Sequence, residues 1–228
     1  MLRAIIFDFD GVLVNSEPLI LKLTQQMAGQ EGWAITGEEY YRDYLALDDR
    51  GIVAHLYRSH GRTIDQARQD QLVLWKARAY AEIIREGLPP FPGAVGFVQK
   101  MAGKFPLAIA SGSLRAEIEH LLDKMGLRQA FSSLATADDC EYSKPSPCVY
   151  LTALARLREL SAFRLNPLHA SQCLAVEDAP FGVEAAHAAG MRCLALAHSR
   201  PLEELRQADW VSPDFAGVDF EKIEGAFQ

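Results

Sequence analysis

Ala4-Ile5-Ile6-Phe7-Asp8-Phe9-Asp10-Gly11 is the stretch from which the rest of the chain can be read. Four consecutive apolar residues, with no alternation between apolar and polar, fit a strand covered on both faces, as in a parallel sheet. Asp8 and Asp10 follow at the end of that strand, where open α/β sheets place their ligands. Carboxylates separated by one residue point to the same side of an extended chain, so the two can flank one reacting group. One can attack phosphorus while the other gives a proton to the leaving oxygen and later takes one from water. Gly11 permits the turn that follows. The plainer alternative is a pair of solvated acids closing a strand.

Working outward, the same kind of apolar run recurs at Leu107 to Ala110, Cys173 to Val176 and Cys193 to Ala197. Between them lie helical patterns. Leu114, Ile118, Leu121, Leu122 and Met125 share a face, with Gly126 as a C-terminal stop. Tyr150, Leu154 and Leu157 share another within Pro147 to Leu160, and Pro180 to Gly190 has Pro in its first turn and Gly at its end. Strands alternating with helices predict an α/β fold, a doubly wound and mostly parallel sheet.

The stretch from Ser16 to Gly87 breaks the alternation, because it holds helical patterns and no buried strand before the Pro-rich segment Leu88 to Gly93. Ile20, Leu23 and Met27 make one apolar face in it, and Leu72, Trp75, Ala79 and Ile83 another. The expected organisation is an α/β core of residues 1–15 and 88–228 with a helical insertion of residues 16–87. Hinges are expected at the two crossings, near Ser16 and Gly87.

The bulk properties bound the partners. A chain of 228 residues with 49% hydrophobic and 23% charged residues can bury a globular core, and no apolar run approaches the ~20 residues that span a bilayer. A net charge of -7 opposes binding to nucleic acid. The opening Met1-Leu2-Arg3 leads straight into the first strand without a signal-peptide pattern, so the expected compartment is the cytoplasm. Cys140, Cys148, Cys173 and Cys193 show no Cys-x-x-Cys spacing and are expected as reduced structural thiols. A monomer is expected.

Other residues gain meaning beside Asp8 and Asp10. Two carboxylates would repel an anionic phosphate, so the site needs a cation. Glu177 and Asp178 end the Cys173 run and could converge with Asp8 on a hard, oxygen-liganded ion such as Mg²⁺. For one of them the alternative is an acidic cap on the helix that begins at Pro180. Ser111 and Gly112 end the Leu107 run just before a helix, where a hydroxyl and backbone N–H groups make an anion pocket, or else a simple turn and cap. Lys144 lies in Tyr142-Ser143-Lys144-Pro145-Ser146-Pro147, a stretch stiffened by two prolines and able to aim an ammonium.

Taken together, Asp8-x-Asp10-Gly11, Ser111, Lys144 and Glu177-Asp178 resemble the four motifs of the haloacid dehalogenase superfamily, spread over nearly the whole chain. The stretches Asp8 to Pro18, Ser143 to Pro147 and Val176 to Gly190 resemble its branch containing β-phosphoglucomutase and sugar-phosphate phosphatases, in which a helical cap follows the first strand. The resemblance implies a Mg²⁺-dependent phosphatase acting on a small phosphorylated metabolite, with a sugar phosphate as the expected substrate. It implies Asp8 as nucleophile and metal ligand, and Asp10 as general acid/base that also lends its carbonyl to the metal. Glu177 and Asp178 would be at the metal, with Ser111, Gly112 and Lys144 on the phosphoryl oxygens.

Asp10 argues against a dehalogenase, whose halide leaving group needs no proton. Against a mutase stands Ile20, where the mutase-like pattern has His. Asn15, where Asp is common in the family, carries no assigned consequence. A silent protein that only binds a phosphorylated ligand is the remaining alternative, although a retired enzyme is expected to have lost one of Asp8, Asp10, Lys144 or Asp178. Substrate choice is expected in the cap. Arg50 and Lys76 roughly align with cap positions that meet substrate in sugar-phosphate relatives, and Ser113 and Arg115 border the core pocket. For Arg50 the alternative is an exposed ion pair with Asp48 or Asp49. His55, His60 and His187 are expected in surface or packing roles.

Overall fold

The computed structural model describes residues 1–45, 47, 49–198 and 200–227. Its strands are β1 (Ala4–Phe7), β2 (Leu107–Ala110), β3 (Phe131–Ala135), β4 (Cys173–Glu177), β5 (Arg192–Leu196) and β6 (Trp210–Ser212). Its helices are α1 (Glu17–Gln30), α2 (Gly37–Asp43), α3 (Asp49–Ser59), α4 (Gln66–Ile84), α5 (Ala94–Ala102), α6 (Arg115–Lys124), α7 (Cys148–Arg158), α8 (Pro180–Ala188) and α9 (Phe220–Gly225). The chain divides into two compact units, one of Met1–Asn15 with Gly87–Gln228 and one of Ser16–Glu86.

In the first unit the six strands form one sheet in the order β3-β2-β1-β4-β5-β6, every neighbouring pair parallel. The order reverses direction at β1, so the crevice beyond the carboxyl ends of β1 and β4 is the topological switch point. β1 is central, with Ile5 opposite Leu107 on one side and Leu174 on the other. All four of its residues are fully buried, which explains their unbroken apolarity. One face of the sheet packs Ile6, Ala108 and Ala175 against Tyr150, Leu154 and Leu157 of α7 and Val183 and Ala186 of α8. On Phe7 the rings of Phe97 and Phe131 stand edge-on at 6.2 and 5.9 Å, a favoured aromatic geometry.

The helix α6 buries Ile118, Leu121 and Leu122 of its predicted face, and Gly126 ends it with φ +68°. Leu114 lies outside the helix and is half-exposed. Two strands, β3 and β6, lack an unbroken apolar run: β3 is interrupted by Ser132 and Ser133, and β6 has only three residues.

The second unit holds the four helices α1 to α4, joined by turns, and no strand among its described residues. Its core gathers Met27, Tyr40, Tyr44, Ile52, Leu56 and Leu72. Thr36 and Glu39 cap α2 reciprocally, each side chain accepting the other's backbone N–H. On α4 the buried set is Leu72, Lys76 and Ile84, whereas Ile83 of the predicted stripe is exposed. Among the described residues no helix is long and apolar enough to cross a membrane.

One expectation is overturned. Cys140 and Cys148 form a disulfide, with Cα atoms 6.0 Å apart, and only Cys173 and Cys193 are thiols. A short 3-10 turn at Ala137–Asp139 and the start of α7 fold the chain back on itself, so residues eight apart meet. Spacing in the sequence carries no trace of that reversal.

Candidate active site

Asp8, Glu177 and Asp178 come together where β1 and β4 end. One carboxylate oxygen from each lies within 4.8 Å of the others, and all three residues are buried. Parallel register produces this, since Phe7 pairs with Val176 and the next residues of both strands emerge side by side. Asp8 is held there by its N–H, which donates to Val176 O at 2.9 Å.

Lys144 reaches the cluster from the connection between β3 and α7. Its Nζ lies 2.8 Å from Asp8 Oδ1 and 2.6 Å from Glu177 Oε1. Burial works against its charge, but the carboxylates of Asp8 and Glu177 outweigh burial and hold its pKa above the ordinary lysine value. Tyr150 completes the support, its hydroxyl donating to the same Glu177 Oε1 at 2.6 Å. The sequence marked Tyr150 only as part of an apolar helical face; a tyrosine fully buried in such a face needs a partner for its O–H, and that was the available signal. Glu177 Oε2 accepts the Asp178 N–H at 3.2 Å. Neither acid caps α8, whose N-cap is Ala179 without a side-chain hydrogen bond.

Burial, reinforced by the neighbouring Asp8 and Glu177 charges, raises the Asp178 carboxyl well above the usual carboxylate range. Glu177 is raised as well, first by burial, with Lys144 opposing. Three carboxylates facing one ammonium leave an excess of two negative charges when all are ionised. An all-oxygen donor set with that excess fits a hard divalent cation.

Two glycines make room for the acids. At Gly11, with φ +76°, a Cβ would overlap the Asp178 carboxylate, and at Gly182 of α8 a Cβ would overlap that of Glu177. Gly11 O also accepts from Nδ1–H of His198 at 3.1 Å, a tautomer dictated by the carbonyl acceptor. The His198 ring stacks on Phe91 at 4.0 Å, and burial lowers its pKa against the opposing hydrogen bond to Gly11 O. No motif in the sequence marked His198.

Ser111 is buried at the end of β2, and its Oγ accepts the Ser113 N–H at 3.1 Å. Ser113 in turn donates its hydroxyl to Asp10 Oδ2 at 2.5 Å, which ties the second acid of the first motif to the β2–α6 loop. Ser111 and Gly112 line a pocket together with Thr136, Cys140, Tyr142 and Lys144. Arg115 is not brought there: its guanidinium donates to Leu134 O and Asp139 Oδ2 beside the edge strand β3. In the helical unit Arg50 pairs with Asp70 at 2.7 Å, and buried Lys76 pairs with Asp49. Asp48, the other partner considered for Arg50, lies outside the described residues. His60 stacks on Trp33, His55 meets Tyr44 edge-on, and His187 bonds Asp209 at 3.0 Å.

A family model for haloacid dehalogenase-like hydrolases matches residues 5–196. The chain belongs to that family. Among its relatives, hexitol phosphatase B of Escherichia coli is 32% identical over 194 residues, 84% of this chain and 82% of that one. Fructose-1-phosphate phosphatase of the same organism is 29% identical over 197 residues, 82% of this chain and 92% of that one. Among solved structures, a β-phosphoglucomutase from Clostridium difficile superposes with a TM-score of 0.82 at 19% identity, covering 100% of this chain and 97% of that one. That likeness is one of fold. The family membership accounts for the order in which Asp8, Ser111, Lys144 and Glu177-Asp178 occur along the chain.

Proposed function

We propose that the protein is a Mg²⁺-dependent phosphatase of a small phosphorylated metabolite, a sugar phosphate by analogy with the two bacterial phosphatases it resembles. The observation that carries this reading is the convergence of Asp8, Lys144, Glu177 and Asp178 at one sheet edge. In this reading the first unit is the catalytic core and the second is a cap that selects the substrate, with Arg50 and Lys76 as its candidate substrate contacts. The expected compartment is the cytoplasm.

Asp8 acts as the nucleophile. Its carboxylate attacks phosphorus, the P–O bond to the substrate breaks, and Asp10 gives its proton to the leaving oxygen. Asp10 then accepts a proton from the water that hydrolyses the aspartyl-phosphate. Lys144, the Ser111 hydroxyl and the Gly112 N–H bind the equatorial phosphoryl oxygens, where a loose transition state spreads its charge. Ser111 Oγ already accepts from Ser113, which leaves its own O–H to donate outward. Asp8, Glu177 and Asp178 would hold Mg²⁺, with the Asp10 carbonyl, and the ion supplies neutralisation of the phosphate charge near the acids.

The test is a panel of sugar phosphates and other phosphate esters assayed for released phosphate with Mg²⁺, with Asp8→Asn as the blank. Activity removed by EDTA and missing from the blank is expected. Interconversion of glucose 1-phosphate and glucose 6-phosphate isomers without free phosphate would assign a mutase instead, against which Ile20 already speaks.

A further inference from the structure

The lysine of the site rides on a loop that is closed by a covalent strap. Cys140 and Cys148 are joined across a sequence separation of 8, and Lys144 sits midway between them. No helix or strand intervenes between Asp139 and Cys148. Both ends of the loop are anchored independently of the sulfurs. Asp139 accepts from Arg115, Arg156 and the Thr136 N–H, and Cys148 opens α7, which buries Val149, Tyr150 and Leu154. Between the anchors Glu141, Tyr142, Ser143 and Pro145 are exposed. The hydrogen bonds Ser146 N–H to Ser143 O and Cys148 N–H to Ser146 Oγ are internal to the stretch, so between the anchors its hold on the core is the Lys144 ammonium itself, paired with Asp8 and Glu177.

Both sulfur-bearing residues are only half-buried, and Cys140 itself lines the pocket that contains Ser111, Gly112 and Lys144. The other two cysteines are fully buried in the sheet, where burial pushes the Cys173 thiol up to about 12 and the Cys193 thiol also upward, so neither can compete as a thiolate.

We propose that the Cys140–Cys148 pair is a thiol–disulfide exchange site, addressed by a dithiol reductant or a disulfide oxidant, and that its state sets how firmly Lys144 is presented to a phosphoryl group. The proposal rests on the reading of Lys144 as a phosphoryl-oxygen ligand. In the reducing direction an external thiolate attacks one sulfur, a mixed disulfide forms and one cysteine leaves as thiolate. The second external thiol then displaces the other cysteine, so two electrons and two protons pass to the protein and the reductant ends as a disulfide. Oxidation is the reverse. In a thiol-reducing compartment such a cross-link is made and broken. Reduction leaves the anchored ends in place and frees the loop between them. Phosphate binding must then order Lys144 as well as bind it, at the cost of roughly a two- to tenfold loss of affinity, the penalty for immobilising one long side chain.

The full-length protein is prepared oxidised with glutathione disulfide and reduced with dithiothreitol, and native thiols are counted in each. Competitive inhibition by inorganic phosphate during phosphate-ester hydrolysis should weaken on reduction by that factor. Cys148→Ser and the double variant Cys140→Ser/Cys148→Ser should sit at the reduced value and ignore dithiothreitol. Chymotrypsin cleavage after exposed Tyr142, mapped by mass, should be faster in the reduced form. Equal inhibition constants in both states, or no gain of native thiols on reduction, overturns the proposal. If no phosphate ester is hydrolysed, the phosphatase reading fails by itself. The cleavage rates then decide the strap, faster cleavage on reduction supporting it and equal rates overturning it.

Discussion

Tyr150 donates its hydroxyl to Glu177 Oε1 over 2.6 Å, and both side chains are shut off from solvent. The acceptor therefore cannot exchange this partner for water. Replacing Tyr150 by Phe keeps the ring and deletes the donor, which should destabilise the fold by about 1–3 kcal/mol. It should also weaken Mg²⁺ binding, because Glu177 loses one of the groups that fix its rotamer. Urea unfolding and Mg²⁺ titration calorimetry read the two effects separately, and an unchanged Mg²⁺ affinity would show that Tyr150 only packs.

Gly182→Ala tests the space behind the same carboxylate. The added methyl would occupy the position of the Glu177 carboxyl group, so Glu177 must move or α8 must shift. A loss of about 1–3 kcal/mol is expected for overpacking of this kind. Phosphatase activity should fall with it, while Gly225→Ala, at a glycine with nothing within 4 Å of an added Cβ, should leave activity intact.

Lys144→Met removes the only ammonium in contact with Asp8 and Glu177 among the described residues. Breaking a buried pair from one side typically costs about 3–5 kcal/mol. The variant should melt lower than the wild type without metal, and saturating Mg²⁺ should raise its Tm by more than it raises that of the wild type. Equal Mg²⁺-dependent shifts in calorimetry would argue against a shared role for the ion and the lysine.

Asp139 supplies a pH dependence. Hydrogen bonds from Arg156, then from Thr136, hold its carboxyl well below the usual carboxylate range against the opposing effect of burial. A depressed carboxylate stabilises the fold above its unfolded pKa of about 3.9, and that contribution is lost as pH falls towards its folded value. Asp139→Asn should therefore lower Tm at pH 7 and matter less at pH 3. A gap between the two proteins that stays constant from pH 7 to pH 3 would refute the assignment.

How far the sequence reached is clearest from individual elements. β1, β2, β4 and β5 announced themselves because strands buried on both faces have no polar interruptions. β3 and β6 did not. β3 is the edge strand on its side, with Ser132 exposed, so its residues answer to different surroundings. On α4 no pattern in the sequence marked Lys76 as buried, yet the structure buries it against Asp49, a pairing that depends on a residue from another helix.

The candidate site divides in the same way. Asp8, Ser111, Lys144, Glu177 and Asp178 were legible as candidates because each stands at the end of an apolar run or in a stiffened loop, and because Ser111 and Lys144 gained meaning only beside the acids. The roles of Tyr150, His198 and Gly182 were not legible, since each depends on an atom supplied by a distant segment. The Cys140–Cys148 bond belongs with them. Period, apolarity and chain order determined the α/β core and the residues at its rim. Only the folded structure decided which side chains share an oxygen, which glycine yields space to which acid and which sulfurs meet, because those distances are set by packing between segments that the chain itself keeps apart.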